Sequence, residues 1–280
     1  KLNINIINYI HFSEKYLMYE ENGKGKEYND YSDNLEFDGY YLNGKRNGKG
    51  KEYNYNGNLI FEGEYKNGKR NGNGKEINCK GNLIFEGEYK NGNRWNGKGY
   101  NGLNNIVYGL NNGKGYVKEY YVNEGLKFEG EFKNGKRNGK GKEYNYDGNL
   151  IFDGEFKDGN KWNGKGYDGL NNIVYELKNG KGYVKEYEFN GKLEFEGEYL
   201  NGKRNGKGKR YNYDGNLKFD GEYLNGKRNG KGKEYSYDNG KLIFEGEFLY
   251  DYKLKGKYYE KEILEFEGEF LFDKKWNGKG

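Results

Sequence analysis

The side chains that could do chemistry are few, and their placement argues against an active site. His11 is the single histidine, and no cysteine stands near it to share a metal. A metal site needs several convergent ligands, so His11 reads as structural. Cys79, the single cysteine, falls 24 residues after Tyr55, at the equivalent place in the next stretch of chain. That register predicts a packed aromatic slot, in which a cysteine acts as a small hydrophobe. A nucleophile would need a base beside it, and none is evident. Glu62 and Glu64, with their equivalents Glu86 and Glu88 or Glu196 and Glu198, imitate the paired acids of a hydrolase. Residues two apart on a strand do share a face. An active site is one constellation, however, whereas these pairs recur along the chain, so cross-strand pairing with lysines on a solvated face is the expectation.

Two loop motifs fail on spacing. Gly44-Lys45-Arg46-Asn47-Gly48-Lys49-Gly50 imitates a phosphate loop, but that loop needs four residues between its glycines and a Ser or Thr after the lysine. The Asp-Gly-Asn triplets at 147–149 and 214–216 are turns that lack the ligand count of a calcium loop. The basic dipeptides say more. Lys45-Arg46, Lys69-Arg70, Lys136-Arg137, Lys203-Arg204 and Lys227-Arg228 occupy one place in successive segments, and Arg94, Lys161 and Lys274-Lys275 take the same place elsewhere. If that place is a turn in a meander, these cations line one edge of a sheet. A basic edge is a candidate polyanion-binding surface, since each cation near an anionic membrane contributes about 1 kcal/mol, screened by salt.

The elements that must position these residues follow from a repeat. Phenylalanine followed by Glu-Gly or Asp-Gly recurs at Phe37, Phe61, Phe85, Phe128, Phe152, Phe195, Phe219, Phe244 and Phe266, mostly 24 residues apart. The two gaps of 43 each hold a shorter unit centred on Tyr108 and Tyr175, and a longer period of 67 relates Phe61, Phe128 and Phe195. This gives about eleven units from residue 35 to 280, the last truncated, after a partial unit at Tyr19–Tyr28. Residues 1–34 read as an N-terminal cap and partial repeat. Within one unit, Leu217, Phe219, Gly221 and Tyr223 alternate with Lys218, Asp220, Glu222 and Leu224, the period of a strand with one packed face. Asn225 to Asn229 reads as a turn, and Gly230 to Tyr237 as the return strand. Gly221 leaves a slot for a ring from the adjoining strand, and a bulge near Gly230–Gly232 is needed to keep lysines off the aromatic face.

Composition supports a shallow sheet over a globular core. The chain has 49 Gly, 32 Tyr and no Pro, Ala, Thr or Gln; 32% of it is apolar and 33% charged. Polarity of that order alone would favour disorder, but the 18% aromatic content falls at fixed intervals. Tyrosine can pack its ring while its hydroxyl stays wet. The net charge of +5 is too weak to argue for nucleic acid. One cysteine excludes an internal disulfide framework and leans toward a reducing compartment. No run approaches the ~20 apolar residues of a membrane span, and the stretch from Leu2 to Ile10 is too interrupted for a signal peptide. Lys1 rather than Met at the start is expected of a fragment or a processed product.

The pattern Phe219-x-Gly221-x-Tyr223-x-x-Gly226-x-x-x-Gly230-x-Gly232-x-x-Tyr235 resembles the MORN (membrane occupation and recognition nexus) repeat family. Phe61, Gly63 and Tyr65, then Phe128, Gly130 and Phe132, then Phe195, Gly197 and Tyr199 carry the same motif. Departures fall at the Tyr108 and Tyr175 units, where the turn is shortened, and around Tyr250–Tyr258. The resemblance implies a single all-β repeat domain: an elongated, twisted antiparallel sheet of tandem hairpins, on the order of 100 Å long at ~4.8 Å per strand. It also implies a non-catalytic scaffold for protein partners or self-association along the aromatic face, at membrane or cytoskeletal sites.

Peripheral binding of anionic phospholipid through the basic edge is the alternative, and a glycan or cell-wall module a third. Nucleic acid and small-molecule substrates are disfavoured as ligands, and no cofactor or metal is expected. The corresponding location is intracellular, cytoplasmic or peripheral to a membrane.

Overall fold

The computed structural model describes residues 15–18, 22–29, 33–122, 124–188 and 191–279. The cap expected at Leu2–Phe12, with His11, lies outside them. Among the described residues every regular element is a strand. Backbone contacts divide the chain into two units, Lys1–Gly139 and Lys140–Gly280.

In the first unit β1 (Lys15–Met18), β2 (Asn22–Asn29), β3 (Leu35–Leu42), β4 (Lys45–Tyr53), β5 (Leu59–Lys66), β6 (Lys69–Ile77), β7 (Leu83–Lys90), β8 (Asn93–Tyr100) and β9 (Ile106–Leu110) pair in sequence order as one antiparallel sheet. Then β10 (Gly115–Tyr120) pairs with β11 (Leu126–Lys133) in a second sheet. The division between units falls within β12 (Lys136–Tyr144). In the second unit β13 (Leu150–Lys157), β14 (Asn160–Tyr167) and β15 (Ile173–Leu177) pair in order. A nine-stranded sheet follows, made of β16 (Gly182–Tyr187), β17 (Leu193–Leu200), β18 (Lys203–Tyr211), β19 (Leu217–Leu224), β20 (Lys227–Tyr235), β21 (Leu242–Leu249), β22 (Tyr252–Glu260), β23 (Ile263–Leu271) and β24 (Lys274–Lys279).

The fold is therefore all-β, built from consecutive antiparallel hairpins. The strand ladder breaks after β9 and again after β15, 67 residues apart, where each strand has only five residues. At the first break, Asn112 and Gly113 adopt positive φ (51° and 69°) and the return begins at once through the single bridge Asn111↔Lys114. A Cβ on Gly113 would lie 2.9 Å from the Trp95 ring, so the turn is pressed onto that indole.

With one layer of sheet, the core must be made on a face. The fully buried side chains are Phe37, Phe61, Phe85, Phe128, Phe152, Phe195, Phe219 and Phe244, with Val117, Val184 and Leu177 in the short units. Each phenylalanine is enclosed by neighbours of its own face. Phe37, for example, packs edge-on against Tyr41 (5.6 Å between centroids) and Tyr65 (5.1 Å). Such pairs contribute about 0.5–1.5 kcal/mol each beyond the area they bury.

Candidate interaction surface

The geometry of one hairpin decides where every functional side chain points. In β19–β20, Leu224 pairs with Lys227 around Asn225 (φ 53°) and Gly226 (φ 91°). This is a two-residue hairpin turn with both central residues left-handed. The five-residue turn read from Asn225 to Asn229 is thus corrected: Lys227 and Arg228 already belong to the return strand. Because side chains alternate along a strand, the dipeptide is split between faces. Lys227 sits beside Leu224 on one face, and Arg228 sits opposite Tyr223 on the other.

The register then shifts. Gly221 faces Gly232 while Tyr223 faces Arg228, so the extra residues on β20 form a bulge at 229–231, where lysine placement required one. The Glu222 carboxylate closes it by accepting the Lys231 N–H at 3.1 Å. Gly230 (φ 101°) is the bulge residue, and a side chain there would strike that carboxylate. Above the Gly221–Gly232 pair lies a ring, as the slot demanded, but its source differs from the expectation. It is the Phe219 ring of the same strand, folded over both glycines.

The arginines complete this face. Arg46, Arg70, Arg137 and Arg204 place their guanidinium carbons 4.2, 4.0, 4.1 and 4.2 Å from the centroids of Phe37, Phe61, Phe128 and Phe195. Each is also ion-paired: Arg46 with Glu27 and Glu52, Arg70 with Glu52 and Glu76, Arg137 with Glu119, and Arg204 with Glu186 and Glu194. Arg94 bonds Glu76 at 2.9 Å and donates to the Tyr108 hydroxyl at 2.8 Å. Lys161 substitutes for arginine against Phe152 and Glu143, and Lys275 against Phe266 and Glu265. The tyrosines donate to the same glutamates, Tyr41 to Glu27 at 2.7 Å and Tyr89 to Glu76 at 3.1 Å.

Electrostatics follow burial. Desolvation first, and the adjacent glutamates second, push Tyr41, Tyr89 and Tyr199 well above the ordinary tyrosine pKa. For Tyr108, burial outweighs the opposing Arg94 charge and the pKa rises to about 12. Glu234 shows the opposite balance: burial would raise its pKa, but Lys253 and Arg228 together hold it below the usual value.

The glutamates of this ladder, Glu27, Glu52, Glu76, Glu119, Glu143, Glu186 and Glu234, were not singled out from sequence. Their signal was legible: within a hairpin the acid stands six residues after the arginine, as in Arg46–Glu52 and Arg228–Glu234. The acid pairs that were singled out divide. Glu62 and Glu86 pair with Lys51 and Lys75 across strands at 3.5 and 3.0 Å, as expected of a solvated face, whereas Glu196 accepts the Tyr211 hydroxyl at 2.8 Å. Glu64 instead accepts the Asn73 N–H in its own bulge. Cys79 does not occupy a packed slot. It is exposed in the turn whose Asn78 side chain accepts the Lys80 and Asn82 N–H groups, and its counterpart Tyr55 is 73% exposed too. The slot prediction failed because this turn projects past the end of the face.

What remains outward on the hairpin edge is lysine. Lys45, Lys69, Lys136, Lys203, Lys227 and Lys274 are exposed. The candidate basic edge therefore narrows to these lysines, while the arginines, Lys161 and Lys275 face the aromatic side. The hairpin turns are stitched together within each unit. In the first, the Gly68, Gly92, Gly113 and Gly135 N–H groups donate to the carbonyls of Arg46, Arg70, Trp95 and Gly113; in the second, Gly180, Gly202 and Gly226 donate to Trp162, Gly180 and Arg204. In each unit this fixes successive turns beside one another across the sheet break.

The sequence model of the MORN repeat matches residues 37–59, 61–83, 128–150, 195–217 and 219–241, each match opening on the buried phenylalanine of a hairpin. Comparison with curated proteins gives no match. With the phenylalanine, glycine pair, turn and return strand of all five segments in the register described, the chain carries five MORN repeats across residues 37–241.

Proposed function

We propose that the chain is a non-catalytic scaffold that docks peripherally on anionic phospholipid through the lysine edge of its hairpins. One observation carries this reading. At that edge an exposed leucine stands opposite an exposed lysine: Leu42 with Lys45, Leu200 with Lys203 and Leu224 with Lys227. Lysine beside leucine suits a charged and apolar boundary, because the ammonium meets headgroups while the alkyl groups meet acyl chains. The arginines are committed to the aromatic face and leave the lysines to do this work. Lipid binding is expected to be salt-sensitive, since each lysine contributes only about 1 kcal/mol. No helix among the described residues is long and apolar enough to cross a membrane.

Co-sedimentation with neutral and with anionic vesicles at ~0.05 and ~0.15 M salt tests the reading. Binding that needs anionic lipid, and is lost when Lys45, Lys69, Lys203 and Lys227 become Glu, supports it. Absence of binding at ~0.15 M salt removes it.

A second reading, docking of protein partners, is favoured by the tyrosines at the opposite turns. Tyr213 and Tyr237 are 46% and 54% exposed in neighbouring turns of the second unit. Exposed tyrosine is a common anchor of protein interfaces. The buried phenylalanines are closed to a partner, so the aromatic face itself is not the docking surface in this reading.

A further inference from the structure

Two of the longer repeats break the ladder: β22 carries Tyr258 in register with Phe244 and Phe266, and β18 carries an arginine. Where other hairpins carry a glutamate between two phenylalanines, as Glu52 stands in register with Phe37 and Phe61, β18 carries Arg210 in register with Phe195 and Phe219. A carboxylate acceptor is thus replaced by a pure donor. The consequence is visible at Tyr223. Its ring lies edge-on between Phe195 (5.4 Å) and Phe219 (5.3 Å), and its hydroxyl is buried with no hydrogen-bond partner. The equivalent hydroxyls of Tyr41, Tyr89 and Tyr199 donate to a glutamate, and that of Tyr65, also without a hydrogen bond, still has Glu52 beside it, which Tyr223 lacks.

Three guanidinium groups surround this orphaned hydroxyl. Arg204 lies on Phe195 and Arg228 on Phe219, the two rings that flank Tyr223, and Arg210 stands between those rings. The nearby carboxylates are engaged by these arginines and their neighbours, and none accepts from Tyr223. Glu186 holds Arg204 and Tyr199, Glu234 holds Arg228 and Lys253, and Asp251 accepts the Arg228 backbone N–H. Glu194 lies 3.3 Å from Arg204 but 3.6 Å from Arg210, beyond a good hydrogen bond. Arg210 is 47% exposed, which leaves it reachable from solvent and free to swing.

We propose that Arg204, Arg210, Arg228 and Tyr223 form a binding site for a phosphate-type oxyanion on the aromatic face, distinct from the lysine edge. The anion supplies the acceptor that the missing glutamate would have provided. A guanidinium offers five N–H donors and no acceptor, so Arg204 and Arg228 keep donors beyond those that Glu186, Glu194, Glu234 and Asp251 take up, and Arg210 and the Tyr223 hydroxyl add more. A tetrahedral anion with three or four oxygens matches that donor set, and charge-assisted bonds of this kind are the strong ones. The field of the three arginines also opposes the burial that raises the Tyr223 pKa, which places the cations close to its oxygen. The same chemistry is offered by free phosphate and by a lipid headgroup.

The test is titration of the full chain with inorganic phosphate, followed by the unfolding midpoint and by arginine side-chain NMR resonances. Phosphate at ~10 mM raises the midpoint and shifts the Arg204, Arg210 and Arg228 signals. Arg210→Glu restores the ladder, so it folds, has a higher midpoint without phosphate, and weakens the phosphate response at least ~10-fold. Tyr223→Phe keeps the fold and weakens the response, while Lys203→Glu with Lys227→Glu leaves it unchanged. A parallel arm compares phosphoinositide vesicles with free phosphate. Loss of vesicle binding in Arg210→Glu, with little response of the native chain to free phosphate, identifies the headgroup as the source. If native chain and Arg210→Glu respond alike to both probes, or neither probe acts on the native chain, the proposal is overturned.

Discussion

The glycine pair beneath Phe219 allows a test in which two similar substitutions behave differently. A Cβ on Gly232 would lie 2.5 Å from Phe219 Cζ and 2.7 Å from its Cε2, so its obstruction is a side chain. A Cβ on Gly221 would lie 2.6 Å from Gly232 Cα and 2.7 Å from the Lys231 carbonyl oxygen, so its first obstruction is backbone. Each alanine variant alone costs about 1–3 kcal/mol by overpacking. Phe219→Ala alone costs about 3–5 kcal/mol as a buried ring deletion. In combination the two differ. Gly232→Ala added to Phe219→Ala is nearly free, giving a coupling of about 1–3 kcal/mol, whereas Gly221→Ala keeps most of its cost. Repeat arrays unfold in pieces, so the assay is hydrogen exchange of the β19 and β20 amides with urea unfolding beside it. Equal rescue of both variants by Phe219→Ala, or rescue of neither, would refute the account of why these positions are glycine.

Other expectations follow from the same geometry. Arg70→Ala costs about 3 kcal/mol, the low end for breaking a buried ion pair because Arg70 and Glu52 are 21% and 17% exposed, whereas Lys69→Ala stays within about 0.5 kcal/mol; denaturant midpoints compare them. Tyr108 and Tyr223 have pKa values raised from 10.0 to about 12, chiefly by burial, so their contribution is complete below pH 10 and is lost as pH rises toward 12. Circular dichroism and tyrosinate absorbance should change together across that window. Glu234 has a lowered pKa, so its contribution is present above its ordinary value of 4.5 and is lost as pH falls through the lowered one; Glu234→Gln should flatten that part of the acid unfolding curve. Cys79 should react with a thiol reagent at the rate of a free thiol in the native chain, and a rate limited by unfolding would contradict its exposure.

Much of the fold was readable because the residue types announce it. Phe219, Gly221 and Tyr223 at period two specify a strand, Asn225-Gly226 specifies the turn, and lysines at alternating positions demand a bulge. The sheet breaks at Asn112-Gly113 and its counterpart were hidden, since a short unit looks in sequence like a degenerate hairpin. The division of each Lys-Arg pair was hidden for another reason: reading both residues as turn removed them from the alternation that sends one to each face. The Arg–Glu–Phe stacks join residues of successive hairpins, as in Arg70–Glu52, a relation that only cross-strand register reveals. The same register turned Arg210 from one more surface cation into a missing acceptor.

The central claim is that the lysine edge of the hairpins meets an anionic surface. Lysine-modification footprinting of the chain bound to anionic vesicles tests it most directly. Protection of Lys45, Lys69, Lys203 and Lys227, with Lys51 and Lys75 on the cross-strand ion-paired face as reactive as in free protein, is the predicted result. Uniform protection of all six, or protection of Lys51 and Lys75 alone, would contradict it.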